Sequence, residues 1–191
     1  MKGLPAKIIN KPELNRVLRI AVQKRHPERN RVIVLLSFKA GLRACEIAGL
    51  RWEMVIDARG RVGRFIEVPG AIAKNGSGRR IPINQELYRA LVQLKKINGA
   101  FGPVVCSERG GAMRARAIVN WFSGLYADAG LSGCSSHSGR RTFVTNAARM
   151  ISKAGGSLRD VQQLAGHKSL KTTERYIDGF GAAQKRVVKL I

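Results

Sequence analysis

The chain has 191 residues, of which 45% are hydrophobic, so it is long enough for one domain with a sizeable core, or for one domain and a small additional piece. Its 35 lysines and arginines outnumber its 12 aspartates and glutamates, and the net charge is +23. A surface this cationic attracts polyanions, so nucleic acid is the leading predicted partner and an anionic membrane surface the second. The cations run through the whole length, which argues against a basic linker.

The cysteines and the apolar segments indicate the compartment. Cys45, Cys106 and Cys134 lie far apart and include no CxxC pair, which disfavours a disulfide framework and a structural zinc site. The longest apolar run, near residues 32–38, is too short to cross a bilayer, and the N-terminus lacks the features of a signal peptide. We therefore expect a cytoplasmic protein that does not enter a membrane.

The acidic residues are scarce, and they form no cluster along the sequence. Chemistry that uses two metal ions on a phosphate needs such a cluster of ligands. The sequence therefore disfavours a metal-dependent nuclease and predicts no metal and no other cofactor. If the chain cuts DNA, arginine and lysine must supply the positive charge.

Apolar residues recur at helical spacing along most of the chain. The first helix is predicted to begin at Asn10, a capping residue that Glu13 follows three positions later, and to end at His26-Pro27. His26 is expected on the surface in this turn. Further helices are predicted over residues 32–39, 43–50, 85–97, 115–129, from 135 or 136 to 148, 158–164 and 172–177.

One segment is typical of a β-hairpin. Residues 64–69 alternate between apolar and polar side chains, residues 74–78 form a glycine-rich turn, and residues 79–83 are predicted to return as the second strand. The sequence therefore predicts an α+β fold that is mostly helical, with one small antiparallel sheet.

Residues that suit metal-free cleavage of a phosphodiester occur in four local motifs. Such cleavage needs a nucleophile, positive charge on the non-bridging oxygens and a proton donor for the leaving oxygen. In the first motif, Gly41 lets the backbone turn sharply, so Arg43 can point into a cleft while Glu46 holds it by a salt bridge or a hydrogen bond. Taken alone, an arginine on a helix surface is the simpler interpretation of this motif.

The second motif places His137 and Arg140 three residues apart near the start of a predicted helix. This spacing puts both side chains on one face, and the helix N-terminus favours an anion such as a phosphate. Arg141 is expected to point elsewhere. A His-Arg pair on a solvated face is the competing interpretation.

The third and fourth motifs supply the nucleophile and the proton donor. Tyr176 follows the Gly166-His167 pair, and Lys74 lies on the predicted hairpin turn, from which it can reach a leaving oxygen. The competing interpretation of residues 158–176 is a helix-turn-helix, in which Tyr176 packs and cuts nothing.

No single motif decides the function, but their order along the chain does. The chain resembles the tyrosine recombinase (phage integrase) family, and the resemblance covers most of its length. The segments that carry it are Gly41-Leu-Arg-Ala-Cys-Glu46, Lys74, His137-Ser-Gly-Arg-Arg-Thr-Phe-Val-Thr145, Leu164-Ala-Gly-His167 and Arg175-Tyr176.

The resemblance implies the tyrosine recombinase catalytic-domain fold and a division of roles among six catalytic residues. Tyr176 would attack the scissile phosphate, form a 3′-phosphotyrosyl link and free a 5′-hydroxyl. Lys74 would protonate the leaving 5′-oxygen, and His137 would act in acid–base chemistry at the tyrosine.

The remaining three residues, by the same resemblance, would bind the phosphate. Arg43 and Arg140 would hold the non-bridging oxygens, and His167 would donate a hydrogen bond. The link conserves bond energy, so neither ATP nor an obligatory metal would be needed. The implied function is site-specific recombination of double-stranded DNA, with a homo-oligomer, a tetramer, assembled on the DNA for integration, excision or inversion.

The chain departs from the family pattern at two places. The family usually has leucine where this chain has Gly139, and we expect this glycine to loosen the start of its helix. Only a short lead precedes Arg43, so residues 1–191 are expected to form a catalytic domain without an N-terminal core-binding domain, either as a short member or as a fragment. The tail at 179–191, by contrast, fits the family pattern, and it is expected to pack on a neighbouring protomer or on its own chain, with neither arrangement favoured.

Three further cations, Arg79, Arg80 and Lys168, are predicted to contact the DNA backbone, although each fits a solvated surface charge equally well. Such contacts make binding steeply salt-dependent, with log K falling ~0.9 per phosphate contacted. Two alternatives to a recombinase remain open. A non-catalytic DNA-binding regulator would use residues 158–176, and a topoisomerase-like relaxing enzyme would use the same chemistry without synapsis.

Overall fold

The computed structural model of the chain describes residues 6–73, 76–176 and 188. Lys74 and, apart from Val188, the predicted tail at 179–191 lie outside the described residues. The described part is mostly helical with a two-stranded antiparallel sheet, which confirms the predicted α+β class. Contacts divide the chain into two compact units, Met1–Phe143 and Val144–Ile191.

The secondary structure of the described residues follows the predicted order. The helices are α1 Lys11–Gln23, α2 Pro27–Lys39, α3 Ala44–Gly49, α4 Gln85–Asn98, α5 Ala115–Asp128, α6 Ser138–Met150, α7 Leu158–Ala165 and α8 Leu170–Glu174. The strands are β1 Phe65–Val68 and β2 Arg79–Pro82, and short 3₁₀ helices cover Trp52–Met54 and Ser152–Ala154.

The connection between α1 and α2 is tighter than the sequence predicts. The capping box at the start of α1 is confirmed, because Asn10 and Glu13 exchange side-chain and backbone hydrogen bonds of 2.8 and 2.9 Å. α2 begins at Pro27 and not at residue 32, since proline suits the first position of a helix. His26 takes a left-handed conformation, with φ 65°, and lies exposed in this connection, as predicted.

Helix α2 is the centre of the first unit. Its consecutive residues Val32, Ile33, Val34, Leu35 and Leu36 are all 0% exposed. Consecutive residues point in every direction around a helix, so their burial means that the helix is enclosed on all sides. It packs against α1, α3 and α4, and its last turn leads directly into the first motif.

The hairpin carries a different arginine on each of its faces. Phe65 pairs with Pro82, Ile66 with Ile81, Glu67 with Arg80, and Val68 with Arg79, and the Ile pair is buried. Because side chains alternate along a strand, Arg79 shares the buried face of Ile81 whereas Arg80 lies on the exposed face.

In the second unit, α7 and α8 pack together and form a compact end to the described chain. Gly166, in the left-handed conformation, ends α7. α8 covers Leu170–Glu174, so the predicted helix over 172–177 starts two residues too late and extends too far, and Tyr176 lies in the turn that follows α8. Ile177 lies outside the described residues.

Candidate active site

The turn at Gly41 aims the first motif. Gly41 has φ +62°, and a Cβ at this position would lie 2.4 Å from Cδ1 of Phe143, so glycine is needed both for the conformation and for the space. Leu42 is fully buried, and its N–H donates to the carbonyl of Leu36 at 3.0 Å. The chain therefore leaves α2 in a fixed direction, and Arg43 is the N-cap of α3.

Glu46 holds Arg43 at two points. Its side chain is 0% exposed, and it accepts hydrogen bonds from the backbone N–H of Arg43 at 2.8 Å and from Nη1 at 2.9 Å. The interaction that the sequence predicts between Glu46 and the Arg43 region is therefore confirmed. The Arg43 side chain keeps 16% of its surface exposed.

Arg79 completes this cluster from β2. Its Nη1 and Nη2 donate to the two carboxylate oxygens of Glu46 at 2.8 and 2.9 Å, in a bidentate pair. Burial by itself raises the pKa of Glu46. The hydrogen bond and positive charge of Arg79, together with those of Arg43, outweigh this effect and lower the pKa to about 2. Glu46 is therefore ionised at neutral pH.

The second motif is fastened to the first by Arg140. This arginine, in the first turn of α6, is 3% exposed, and its Nη1 donates to the carbonyl oxygen of Gly41 at 2.6 Å. His137 directly precedes α6 and is exposed, and its carbonyl accepts the N–H of Arg141 at 2.8 Å. Arg43 and Arg140 are far apart in sequence, but Arg140 is hydrogen-bonded to the backbone two residues before Arg43, so the two motifs meet in the first unit.

Gly139 has a packing role that the sequence did not reveal. A Cβ at this position would lie 2.3 Å from Oγ of Ser37 and 2.9 Å from Cδ2 of Phe38, both in α2. The glycine lies buried against α2, and the loosening of the start of α6 stays a prediction. The leucine that is usual in the family has no space here unless α2 shifts.

In the second unit, His167 and Tyr176 are in direct contact. Their rings stack with centroids 5.4 Å apart and an angle of 23° between the planes. His167 is 8% exposed, and its Nδ1 lies 2.9 Å from Oγ1 of Thr173, which is fully buried. The carbonyl oxygen of Tyr176 accepts a hydrogen bond from Oγ1 of Thr145 at 3.3 Å, and the tyrosine side chain is half-buried.

This geometry disfavours the helix-turn-helix interpretation of residues 158–176. The segment that would enter the DNA groove is α8, which spans Leu170–Glu174 and is only about one turn long. Thr173, one of the two threonines expected to open a recognition helix, lies beneath His167 and is 0% exposed, so it is not placed to contact a base.

The three predicted DNA contacts differ in their surroundings. Lys168 is exposed, and Arg80 is exposed while it stacks over the ring of Phe65 at 3.9 Å and pairs with Glu67 at 2.7 Å. The Arg79 side chain is 4% exposed and turned towards Glu46. All three contacts stay predictions, but the bidentate pair with Glu46 favours a structural role for Arg79.

The predicted catalytic residues therefore fall into two groups. Arg43, His137 and Arg140 belong to the first unit, and His167 and Tyr176 belong to the second. Lys74, in the connection between β1 and β2, lies outside the described residues. Within residues 6–73 and 76–176, no three His, Cys, Asp or Glu side chains are grouped so that they could hold a metal ion. Nor does this part of the chain contain a helix with the length and apolar character needed to span a membrane.

Comparison with known proteins gives the family. The model of the phage integrase family matches residues 7–181, which is nearly the whole chain. The chain belongs to the phage integrase family, and the resemblance seen in the sequence is confirmed.

Curated relatives include tyrosine recombinases named XerC. The protein of Myxococcus xanthus is 29% identical over 180 residues, which cover 88% of this chain and 54% of the relative. The protein of Pelobacter propionicus is 29% identical over 152 residues, which cover 78% of this chain and 47% of the relative. The chain thus spans about half the length of the curated relatives it matches.

Solved structures share the fold. A crystal structure of XerA recombinase matches with a TM-score of 0.77 at 22% identity, over 100% of this chain and 66% of that one. The Tn1549 transposon integrase in complex with transposon right end DNA matches with a TM-score of 0.76 at 20% identity, over 97% of this chain and 66% of that one. A lambda integrase dimer bound to a COC' core site matches with a TM-score of 0.73 at 20% identity, over 95% of this chain and 50% of that one.

Proposed function

We propose that residues 1–191 form the catalytic domain of a site-specific DNA recombinase, which cuts and rejoins strands through a 3′-phosphotyrosyl intermediate. The observation that carries this proposal is the stacking of the half-buried Tyr176 on His167 in a chain of the phage integrase family. The same chemistry serves integration, excision and inversion.

Strand cleavage is a displacement at phosphorus. The phenolic oxygen of Tyr176 attacks a backbone phosphate and gives its proton to His137. The bond to the 5′-oxygen breaks, and Lys74 protonates that oxygen, so the products are a 3′-phosphotyrosyl ester and a 5′-hydroxyl. Because an ester replaces an ester, the 5′-hydroxyl of a partner strand reverses the step, and neither ATP nor a metal ion takes part.

Two arginines stabilise the negative charge that develops on the non-bridging oxygens. Glu46 fixes Arg43 at the start of α3 by bonds of 2.8 and 2.9 Å, and the carbonyl of Gly41 fixes Arg140 by a bond of 2.6 Å. Side chains held in this way need little rearrangement when the phosphate arrives. This preorganisation is the main source of electrostatic catalysis.

His167 can supply a hydrogen-bond donor to the phosphate. When Oγ1 of Thr173 donates to Nδ1, across their 2.9 Å contact, the imidazole carries its own proton on Nε2. Nε2–H can then donate to a phosphate oxygen. The stacked ring of Tyr176 lies beside this donor, so the nucleophile and the hydrogen bond act on the same phosphate.

Double-stranded DNA is the proposed partner, and the net charge of +23 supports it, since cations dominate affinity for phosphate backbones. The proposed assembly on DNA is a homotetramer, by analogy with the lambda integrase tetramer bound to a Holliday junction, whose fold matches with a TM-score of 0.71. The proposed location is the cytoplasm, where DNA is accessible and free thiols persist.

A trapping experiment tests the proposal. The protein is incubated with a pool of nicked duplexes that carry randomised sites, so that the cleaved fragment diffuses away and the covalent adduct accumulates. The adduct is expected with the wild type and with Tyr88→Phe, a tyrosine on α4 that is 38% exposed, and it should disappear with Tyr176→Phe. An adduct that survives Tyr176→Phe would refute the proposed nucleophile. No adduct with the wild type would favour a DNA-binding protein without this activity.

A further inference from the structure

Arg79 forms a bidentate pair with a buried carboxylate, and this pair is what makes a phosphate contact hard to make, since the phosphate-binding candidate Arg140 is equally buried. The Arg79 side chain is 4% exposed, and both terminal nitrogens donate to Glu46, whose own side chain is 0% exposed. If Arg79 turned towards DNA, the buried carboxylate would lose two charge-assisted hydrogen bonds, which is strongly unfavourable. Arg80, the next residue, has 62% of its side chain exposed and faces the opposite side of the hairpin.

The Glu46 carboxylate is shared between two arginines. Oε1 accepts from Nη1 of Arg79 and from Nη1 of Arg43, at 2.8 and 2.9 Å. Oε2 accepts from Nη2 of Arg79 and from the backbone N–H of Arg43, at 2.9 and 2.8 Å. A bidentate guanidinium fixes the plane of a carboxylate, and the same plane determines where Oε1 presents its second lone pair to Arg43.

We propose that Arg79 is a positioning residue, which orients the phosphate-binding guanidinium of Arg43 through the carboxylate of Glu46. This inference rests on the proposed function, because it assigns Arg43 to the scissile phosphate. It also replaces the direct DNA contact that the sequence suggested for Arg79.

The charges of the cluster support this arrangement. Two guanidinium groups and one carboxylate leave a net charge of +1, so the cluster still attracts a phosphate. The bond with Glu46 takes a single terminal nitrogen of Arg43, whereas it takes both terminal nitrogens of Arg79. Arg43 is also the more exposed of the two side chains, at 16% against 4%. Of the two, Arg43 is therefore better suited to the phosphate, because Glu46 engages only one of its terminal nitrogens.

The test compares Arg79→Met and Arg79→Lys with Arg61→Met, which removes the same charge from an exposed side chain that pairs with Asp57. At saturating protein, the rate of covalent adduct formation on a nicked duplex should fall about 100-fold in both Arg79 variants, because a small misplacement of a catalytic group has this effect. Lysine keeps the charge but lacks the bidentate fork, so it should not rescue the rate. DNA affinity and its salt dependence should stay close to those of the wild type.

A pH profile and a double variant separate positioning from a general loss of structure. Without Arg79, Glu46 protonates at a higher pH, so the ratio of the wild-type rate to the Arg79→Met rate should grow as the pH falls. The losses in adduct rate caused by Arg79→Met and by Glu46→Gln should not multiply in the double variant, because each change interrupts the same contacts between Arg79, Glu46 and Arg43. If the two rate losses multiply in the double variant, the inference is wrong. If Arg79→Met instead keeps the rate of adduct formation at saturating protein but loses DNA affinity and salt dependence, the inference is also wrong, and Arg79 contacts a phosphate directly.

A measurement that does not depend on catalysis separates the positioning role of Arg79 from the proposed recombinase function. In the DNA-free protein, the guanidinium NMR signals of Arg43 should show slow rotation in the wild type and fast averaging in Arg79→Met, with those of Arg61→Met unchanged from the wild type. If the wild type forms no adduct, the proposed function fails, and these signals still decide the positioning role. Equal Arg43 signals in the wild type and Arg79→Met would refute it.

Discussion

Replacing Glu46 by glutamine should destabilise the protein strongly at neutral pH. Glutamine keeps the shape of the side chain but removes the charge that Arg79 and Arg43 face inside the protein. The pKa of Glu46 falls from an ordinary 4.5 to about 2 in the folded protein, and one pKa unit corresponds to ~1.36 kcal/mol. The ionised carboxylate therefore contributes about 3 kcal/mol to the free energy of unfolding at pH 7.

The direction of the pH dependence follows from the lowered pKa. This contribution is fully present above pH 4.5, the ordinary value, and is lost as the pH falls towards about 2, the folded value. Denaturant titrations at pH 7, 5, 4 and 3 measure it. The wild type should lose free energy of unfolding across this window, whereas Glu46→Gln should start about 3 kcal/mol lower at pH 7 and change less as the pH falls.

Glu67→Gln is the matched control, because Glu67 lies in the hairpin, pairs with Arg80 and has 57% of its side chain exposed. An exposed pair contributes only ~0–1 kcal/mol, so this variant should unfold almost as the wild type does. In thermal unfolding, the Glu46 variant should melt about 6–12 °C lower, as expected for a chain of this size. Equal losses in the two variants, or a Glu46→Gln curve as steep below pH 5 as that of the wild type, would refute the reasoning.

Three further variants test separate parts of the structure. Gly139→Ala should lower the free energy of unfolding by about 1–3 kcal/mol because its Cβ meets α2, while Gly124→Ala, where nothing lies within 4 Å, should raise it by about 0.5–1 kcal/mol, as denaturant titration would show. Thr173→Val should slow adduct formation about tenfold with unchanged DNA affinity, since His167 loses its buried partner, and Thr172→Val, at an exposed position, should not. Arg80→Met should reduce the slope of log K against log salt by about 0.9 if Arg80 contacts a phosphate, and an unchanged slope would exclude the contact.

The sequence predicts most of the fold because its signals are local. Asn10 and Glu13 are three residues apart, and a capping box needs nothing else. The start of α2 is predicted less well, because polar residues occupy its first turn and the helical apolar pattern begins only at Val32. The sequence pattern predicts that Pro27 ends one helix, whereas Pro27 begins the next, which is also a favoured position for proline.

The candidate site is less predictable where its residues act through other residues. Arg43 and Arg140 lie in recognisable motifs, but nothing near Arg79 in the sequence says that it reaches Glu46, 33 positions earlier. The alternation of the strand does place Arg79 on the buried face with Ile81, and that signal was available. The tight packing of Gly139 depends on where α2 lies, which no local pattern specifies.

The identity of the residue that becomes attached to DNA tests the central claim most directly. The trapped adduct is digested with trypsin and nuclease, and the nucleotide-bearing peptide is sequenced by mass spectrometry. Cleavage after Arg175 and Lys185 releases residues 176–185 with the tyrosine at the N-terminus. The account predicts a nucleotide joined through its 3′-phosphate to Tyr176. A nucleotide on any other residue, or attachment through a 5′-phosphate, would contradict it.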